Sequence, residues 1–419
     1  MNYRIKSNLY LPHEGQKEFH KATRDPKIKE LFVLSPVQCG KTYGILFDSL
    51  LFTNNTSPKN PVVLVCPTYP LARDTLQTPL ITLAADLGIL ANANRAEHTI
   101  NLKNGSYLVV KSAENPDTQL RGVVASRVYV DECCFMTEYA IQLLRARLLA
   151  TNGDLILATT PKGKTNWVYK TYFKKPKPHT TYLYYKLFMN PNHTEEGVEN
   201  MYASYSKELA KQELEAMWID NDVGILYNAI TEHNYKHTPD EPLEPKLIVG
   251  VDFNLDKNAW IICQRGMNTG RVWCVKEGYG TTTTNDMAKE LYKALNTPLP
   301  YEIVIDGSGW NRLQGVGTTH EQILRETGLK NVRRQLNPPR ERRYALTNAC
   351  LENGLGENIL MFTQPTHNTF EELQTLTDGD KENHRSDAIG YVLWWLFQNK
   401  PPRLNIPQNT QHPLLAKYI

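Results

Sequence analysis

The chain lacks a cysteine framework. Its seven cysteines, at 39, 66, 133, 134, 263, 274 and 350, are odd in number and form no C-x-x-C pair. That excludes a disulfide scaffold or a zinc ribbon and fits a reducing compartment. Cys133 and Cys134 are adjacent, too close for an unstrained bridge, and read as packing residues at a strand end. Long hydrophobic runs are also missing. The longest, residues 388–397, is too short to span a bilayer and reads as a buried core helix, so no membrane role is expected. The opening residues, Met1-Asn-Tyr-Arg-Ile-Lys, hold no apolar segment of the kind a secretory leader needs. Nor does one sign of charge dominate. The formal net charge is +3, so any nucleic-acid surface must be local. No internal repeat is present.

What is there suits two domains. A chain of 419 residues is long for one core and natural for two. Over residues 1–165, β-type runs at 31–34, 62–66, 106–110, 128–130 and 155–158 alternate with helical patterns. That pattern predicts an α/β fold, a largely parallel sheet covered by helices. Ligands of such sheets bind beyond the carboxyl ends of the strands. Residues 166–231, rich in Tyr, Lys and Asn and then helical over 199–218, read as a lid and connector. Residues 232–246 carry Pro239, Pro242 and Pro245 and read as a linker. A second α/β block spans 247–400, with strands predicted at 247–252, 259–264, 271–276 and 302–306, a helix over 284–295 and a last helix from His384. Residues 401–419 are polar and Pro-rich, an expected extended tail.

The first strand runs into Ser35-Pro-Val-Gln38-Cys39-Gly40-Lys41-Thr42, and a helical pattern follows. Strand, glycine-containing loop and helix are the context a phosphate-binding loop requires. Backbone N–H groups and the helix N-terminus would cradle the phosphates of ATP. Lys41 would reach the β- and γ-phosphates, and Thr42 would hold Mg²⁺. Ser35 stands where the common pattern has a glycine. About 90 residues later, an apolar strand ends in Asp131-Glu132. Asp131 is placed for the Mg²⁺ shell, and Glu132 for polarising the attacking water. A further strand ends in Thr159-Thr160-Pro161, where hydroxyls can sense a γ-phosphate. Gln16, before the first strand, can read the adenine edge through its amide.

These residues resemble the large terminase subunit of tailed double-stranded DNA bacteriophages. The likeness covers Gln16, the loop ending Gln38-Cys39-Gly40-Lys41-Thr42, the strand 62–66 entering Pro67-Thr-Tyr, Gln119-Leu-Arg121-Gly122, Asp131-Glu132, Thr159-Thr160-Pro161 and the aspartates below. A first loop position other than glycine is common in that family. The resemblance implies a helicase-like ATPase core, a small lid and a ribonuclease-H-like nuclease. It implies ATP-driven movement of double-stranded DNA into a procapsid and metal-dependent cutting of concatemers. It also implies partners: the portal protein, the small terminase subunit, and further copies in a ring, with a monomer expected in solution. The expected place is the bacterial cytoplasm, then the portal vertex, with the protein absent from the mature virion. Some members carry an arginine just before the loop glutamine as a finger on their own ATP. Here that position is Val37, so Arg121 is the candidate finger, reaching a neighbour's ATP.

Two-metal hydrolysis of a phosphodiester needs hard oxygen ligands around one phosphate. Asp252 and Asp306 end apolar strands, and Asp387 opens the last helix. With Mg²⁺ or Mn²⁺ these three make the predicted nuclease site. His384, one turn before Asp387, is the expected helper or DNA contact rather than a metal ligand, and Asp256, an alternative accessory ligand, reads as an ordinary loop residue. The segment 325–343 holds Arg325, Lys330, Arg333, Arg334, Arg340, Arg342 and Arg343 against Glu326 and Glu341. Its arginines at 333, 334, 340, 342 and 343 are the predicted contacts to the DNA backbone. The competing reading is a P-loop DNA translocase whose second domain binds DNA or protein without cutting.

Overall fold

The computed structural model describes residues 10–220, 224–254, 257–310, 317–380 and 383–405. Asp256 and the tail beyond 405 lie outside them. The chain divides into two compact units, Met1–Thr194 with Lys211–Asn221, and Glu195–Ala210 with Asp222–Ile419.

The first unit is built on eight strands: β1 (Glu30–Leu34), β2 (Val62–Cys66), β3 (Leu90–Asn94), β4 (Thr99–Leu102), β5 (Tyr107–Ser112), β6 (Arg127–Asp131), β7 (Asp154–Thr159) and β8 (Thr180–Tyr184). Their order is β3-β4-β5-β2-β6-β7-β1-β8. Every pairing from β5 to β8 is parallel, and only β3 and β4 add antiparallel edges. The central strands β2 and β6 are buried at every position. Continuous apolar runs such as Val62-Val-Leu-Val therefore form strands covered on both faces. The hairpin strand β4, between β3 and β5, instead alternates half-buried and buried residues. The helix Lys41–Thr56 is buried on most sides. Its Asp48 accepts hydrogen bonds from Thr23 Oγ1 and the Tyr129 hydroxyl and pairs with His20 Nδ1. A buried carboxylate persists when its oxygens are satisfied in this way.

The stretch expected to be a lid is shared between the units. Residues 166–194 belong to the first, where Tyr172 and Tyr185 are core rather than polar cover. Tyr172 is fully buried, its ring 4.9 Å from Phe32, and β8 pairs with β1. Residues 195–210 belong to the second unit, where Val198, Tyr202 and Ala203 are buried and the Gly354 N–H donates to the Tyr202 carbonyl.

The second unit holds β9 (Leu247–Asp252), β10 (Asn258–Arg265), β11 (Val272–Thr281), β12 (Tyr301–Ile305), β13 (Val332–Arg334) and β14 (Leu360–Phe362), in the order β13-β12-β9-β10-β11-β14. The meander β9-β10-β11 is antiparallel, while β12 and β13 are parallel to β9. This is a ribonuclease-H-like sheet. Alternate residues of β9 face two cores. Leu247, Val249 and Val251 pack with Met287 and Leu291, while Ile248 packs toward Ile389 and Leu393. The helix His384–Phe397 crosses β9 at Gly250, where a Cβ would lie 2.0 Å from the Ala388 carbonyl oxygen. Only glycine permits that crossing, and the crossing carries Asp387 toward the end of β9.

Residues 232–246, expected to be a linker, are pinned inside this unit. Asn234 is fully buried, and its amide donates to the Leu351 and Leu360 carbonyls. Glu241 accepts from the Trp273 indole. Proline-rich composition suits an extended strap fixed by side chains as well as it suits a free tether.

Candidate functional sites

In the first unit β7 lies between β1 and β6, which brings three strand ends together. The phosphate loop leaves β1 with Gln38 at φ 55° and Gly40 at φ 76°. Left-handed turns at these two points curl the loop over the start of the following helix. Lys41 is almost buried. Its Nζ lies 2.7 Å from Glu132 Oε1 and 3.1 Å from Thr160 Oγ1. Burial works against its charge, but Glu132 and Asp131 outweigh that and hold the ammonium above its ordinary range. Thr42 Oγ1 donates to Asp131 Oδ2 at 2.7 Å. Burial pushes the Asp131 carboxyl up to about 6, helped by Glu132 and opposed by Lys41. Asp131 Oδ1 is buried and has no hydrogen-bond partner among the described residues. A free carboxylate oxygen beside a threonine hydroxyl is a hard donor pair suited to Mg²⁺. Glu132 sits at φ 58°. A non-glycine residue held there is strained, and such strain collects at functional positions.

The other loop residues brace it. Ser35 is buried, its N–H donating to the Thr159 carbonyl and its hydroxyl to the Pro36 carbonyl. The Gln38 carbonyl accepts from Asn190 Nδ2, and the Val37 N–H donates to the Glu213 carbonyl. Burial raises the Cys39 thiol to about 11, and it packs against the Lys186 and Leu187 carbonyls. The Gln16 amide is buried and donates to the Gly40 carbonyl at 2.9 Å, while its oxygen accepts from the His13 N–H. It thus holds the loop in this structure. Asn190 and Glu213 gave no signal in sequence, because both act on residues far away along the chain. Arg121 is exposed and bonded locally, to Asp117 Oδ1 at 2.5 Å and the Tyr139 hydroxyl at 2.9 Å.

In the second unit Asp252 closes β9 and Asp306 follows β12. The two strands are parallel neighbours with Val251 opposite Ile305, so the two carboxylates stand side by side. Both are buried. Burial raises the Asp252 carboxyl, opposed by His384 and aided by Asp306. Ser308 Oγ donates to Asp306 at 2.8 Å. His384 Nδ1 lies 3.0 Å from Asp252 Oδ2, so it supports the site through that carboxylate. The Tyr391 hydroxyl reaches Asp252 Oδ1 at 3.5 Å. Ser308 and Tyr391 were missed in sequence, although one lies two residues past Asp306 and the other one helical turn past Asp387. Two buried, mutually repelling carboxylates at adjacent strand ends are a donor set that a divalent cation fits.

The third aspartate is arranged otherwise. Burial lifts the Asp387 carboxyl to about 6 despite Arg343, and its Oδ1 accepts from Arg343 Nη2 at 2.7 Å. Among the described residues no three His, Cys, Asp or Glu side chains form a group that could hold one metal ion. Asp387 is placed near the pair but engaged elsewhere.

The predicted DNA-contact arginines separate. Arg343 is corrected: it is 6% exposed and is not a surface contact while it is paired with Asp387. On the helix Arg340–Leu351, residues 343, 344, 347, 348 and 351 share the buried face. Arg342 remains exposed. Arg340 is bonded to the Tyr344 hydroxyl. Arg334 pairs with Glu321 at 2.6 Å, and Arg333 with Glu302 at 3.3 Å. These acids lie outside the basic segment, so the local charge excess overstated the free positive charge. Removing one partner of a buried ion pair costs about 3–5 kcal/mol. Arg343→Ala is therefore expected to destabilise the second unit on that scale. Chemical denaturation followed by fluorescence checks this, and a loss under about 1 kcal/mol, the level of an exposed pair, contradicts it.

Together the units define a P-loop nucleotide-binding fold and a ribonuclease-H-like fold in one chain. The family described as "Terminase large subunit, T4likevirus-type, N-terminal" matches residues 32–273. That is more than half of the chain, and the chain belongs to the terminase large subunit family. No curated protein matches it. Among solved structures, the large terminase of a thermophilic bacteriophage is similar over 92% of this chain and 99% of that chain, at 17% identity and a TM-score of 0.55. The ADP complex of that protein gives 17% identity, 91% and 98% coverage and a TM-score of 0.54. Its ATP-gamma-S complex gives 18%, 91%, 98% and 0.53. At such identities these likenesses bear on the fold.

Proposed function

We propose that this chain hydrolyses ATP at the loop 35–42 to move viral double-stranded DNA into a procapsid, and that its second unit cuts the DNA with a divalent metal. The observation that carries the first part is Lys41 held between Glu132 and Thr160, beside Thr42 on Asp131. An incoming phosphate competes with Glu132 for the Lys41 ammonium. Glu132, once released, is free to orient and polarise water, and Thr160 stays within reach of the γ-phosphate. Mg²⁺ bound by Thr42 and Asp131 would supply charge neutralisation on the phosphates. The complexes of the thermophilic bacteriophage protein with ADP and ATP-gamma-S support nucleotide binding.

For cutting, Asp252 and Asp306 would hold Mg²⁺ or Mn²⁺, which would activate water and neutralise the leaving oxygen. Ser308 and His384 orient the two carboxylates. Arg333, Arg334, Arg340 and Arg342 would contact the DNA backbone. Family membership supports the rest of the reading: a portal and a small subunit as partners, a ring during packaging, and residence in the host cytoplasm and at the portal vertex. The engagement of Asp387 by Arg343 favours a second reading, in which this unit binds without cutting. Plasmid nicking with Mn²⁺ separates the two, and an inert full-length chain supports the second.

Arg121 tests the ring. A finger in trans is worth roughly 10³–10⁵ in rate. Arg121→Ala should bind ATP but not turn it over, and Lys41→Ala should lose turnover yet keep its Arg121. Mixed under assembly conditions, the two inactive variants should recover part of the ATPase rate. No recovery at any ratio would leave Arg121 to its local bond with Asp117.

A further inference from the structure

We propose that Arg343 is a positioning residue that keeps Asp387 out of the resting metal site, so that metal first binds Asp252 and Asp306 and Asp387 joins only when its ion pair is exchanged. The inference rests on the reading of the second unit as a metal-dependent nuclease. Three observations carry it. Arg343 is built into the interior rather than resting on it. Its guanidinium lies 4.9 Å from the Tyr391 ring centre. A Cβ on Gly390 would sit 2.7 Å from its Cγ and Cδ, so only glycine leaves room for its stem. Its Nη2 takes one oxygen of Asp387 at 2.7 Å, and no three-ligand group exists among the described residues. Finally, its Nε is buried and has no hydrogen-bond partner among the described residues. A buried guanidinium with part of its fork unused is costly, and once uncovered it can satisfy that fork with a second anion. A phosphodiester oxygen is such an anion, and Arg prefers it in a bidentate grip. DNA arriving at the site can then take Arg343, and Asp387 is released to the metal. The device ties assembly of the third carboxylate to the presence of the substrate.

The test is Mn²⁺ binding to the full-length chain, followed by electron paramagnetic resonance without DNA. Arg343→Gln keeps a hydrogen-bond donor for Asp387 but removes the charge. It should tighten Mn²⁺ binding by about tenfold or more, the lower end of what partners around metal ligands contribute. The gain should vanish when Asp387→Asn is added. Unchanged or weaker binding by a folded Arg343→Gln chain overturns the proposal, as does a gain that survives Asp387→Asn. Should Arg343→Gln fail to fold, Asp387→Asn alone decides. It should bind Mn²⁺ within about threefold of the unaltered chain while losing nicking, and a loss of binding of about tenfold or more overturns the proposal. Failure of the nuclease reading looks different. In that case Mn²⁺ binding does not depend on Asp252 and Asp306 at all.

Discussion

Lys41→Ala is expected to lower ATP hydrolysis by about 10³-fold or more, on the scale of losing a preorganised charge at a phosphoryl-transfer site. The same full-length variant should nick plasmid DNA with Mn²⁺ at the unaltered rate. Lys41 is almost buried, and two residues just past the ends of different strands fix its ammonium at 2.7 and 3.1 Å. Nothing else described occupies that position, so a neutral methyl leaves no substitute. The nicking arm follows from the division of the chain into two units, with every loop residue in one and Asp252 and Asp306 in the other. A tenfold fall in nicking would show that the two chemistries are not separable.

The second large effect is the converse. Asp306→Asn should reduce Mn²⁺-dependent nicking at least about a hundredfold, because a neutral amide cannot replace a metal-bound carboxylate. The shape is kept, since Ser308 Oγ and the Gly309 N–H can still donate to the remaining amide oxygen. ATPase activity should be unchanged. Steady nicking by a folded Asp306→Asn chain would move the cutting site away from β9 and β12.

Much of the fold could be read from the chain, and for a physical reason. Strands buried on both faces need apolar residues through their middles, and β1, β2, β6, β7 and β9 all announce themselves by such runs. The carboxylates and hydroxyls at their ends stood out because polar residues follow uninterrupted apolar runs. Asp131, Glu132, Thr160, Asp252 and Asp306 carry that signal, and the structure brings the first three to Lys41 and the last two together. Asp387 lies in the first turn of the last helix, as its sequence context implies, but nothing near it in the chain signals its partner Arg343. Arg343 looked like one of a run of arginines, and a run invites a surface reading. The helical spacing of Arg343, Tyr344, Thr347, Asn348 and Leu351 carried the opposite message. Short strands were the hardest. β13 and β14 have three residues each, too few for a period to appear. β8, Thr180-Thr-Tyr-Leu-Tyr, is a polar edge with intermediate burial and was absorbed into an expected lid. The strap 232–246 shows the limit of composition. Its prolines were visible, but the buried amide of Asn234 depends on carbonyls of residues 351 and 360, far along the chain.

The claim at the centre is that one chain holds two separate metal-assisted phosphate chemistries. Anomalous diffraction from crystals of the full chain grown with Mn²⁺ and ATP-gamma-S tests it most directly. The expected result is one manganese beside Thr42 and Asp131 and another shared by Asp252 and Asp306, each at about 2.0–2.4 Å from its oxygen ligands. Nucleotide bound with manganese at neither place, or only at positions away from all four residues, would contradict it.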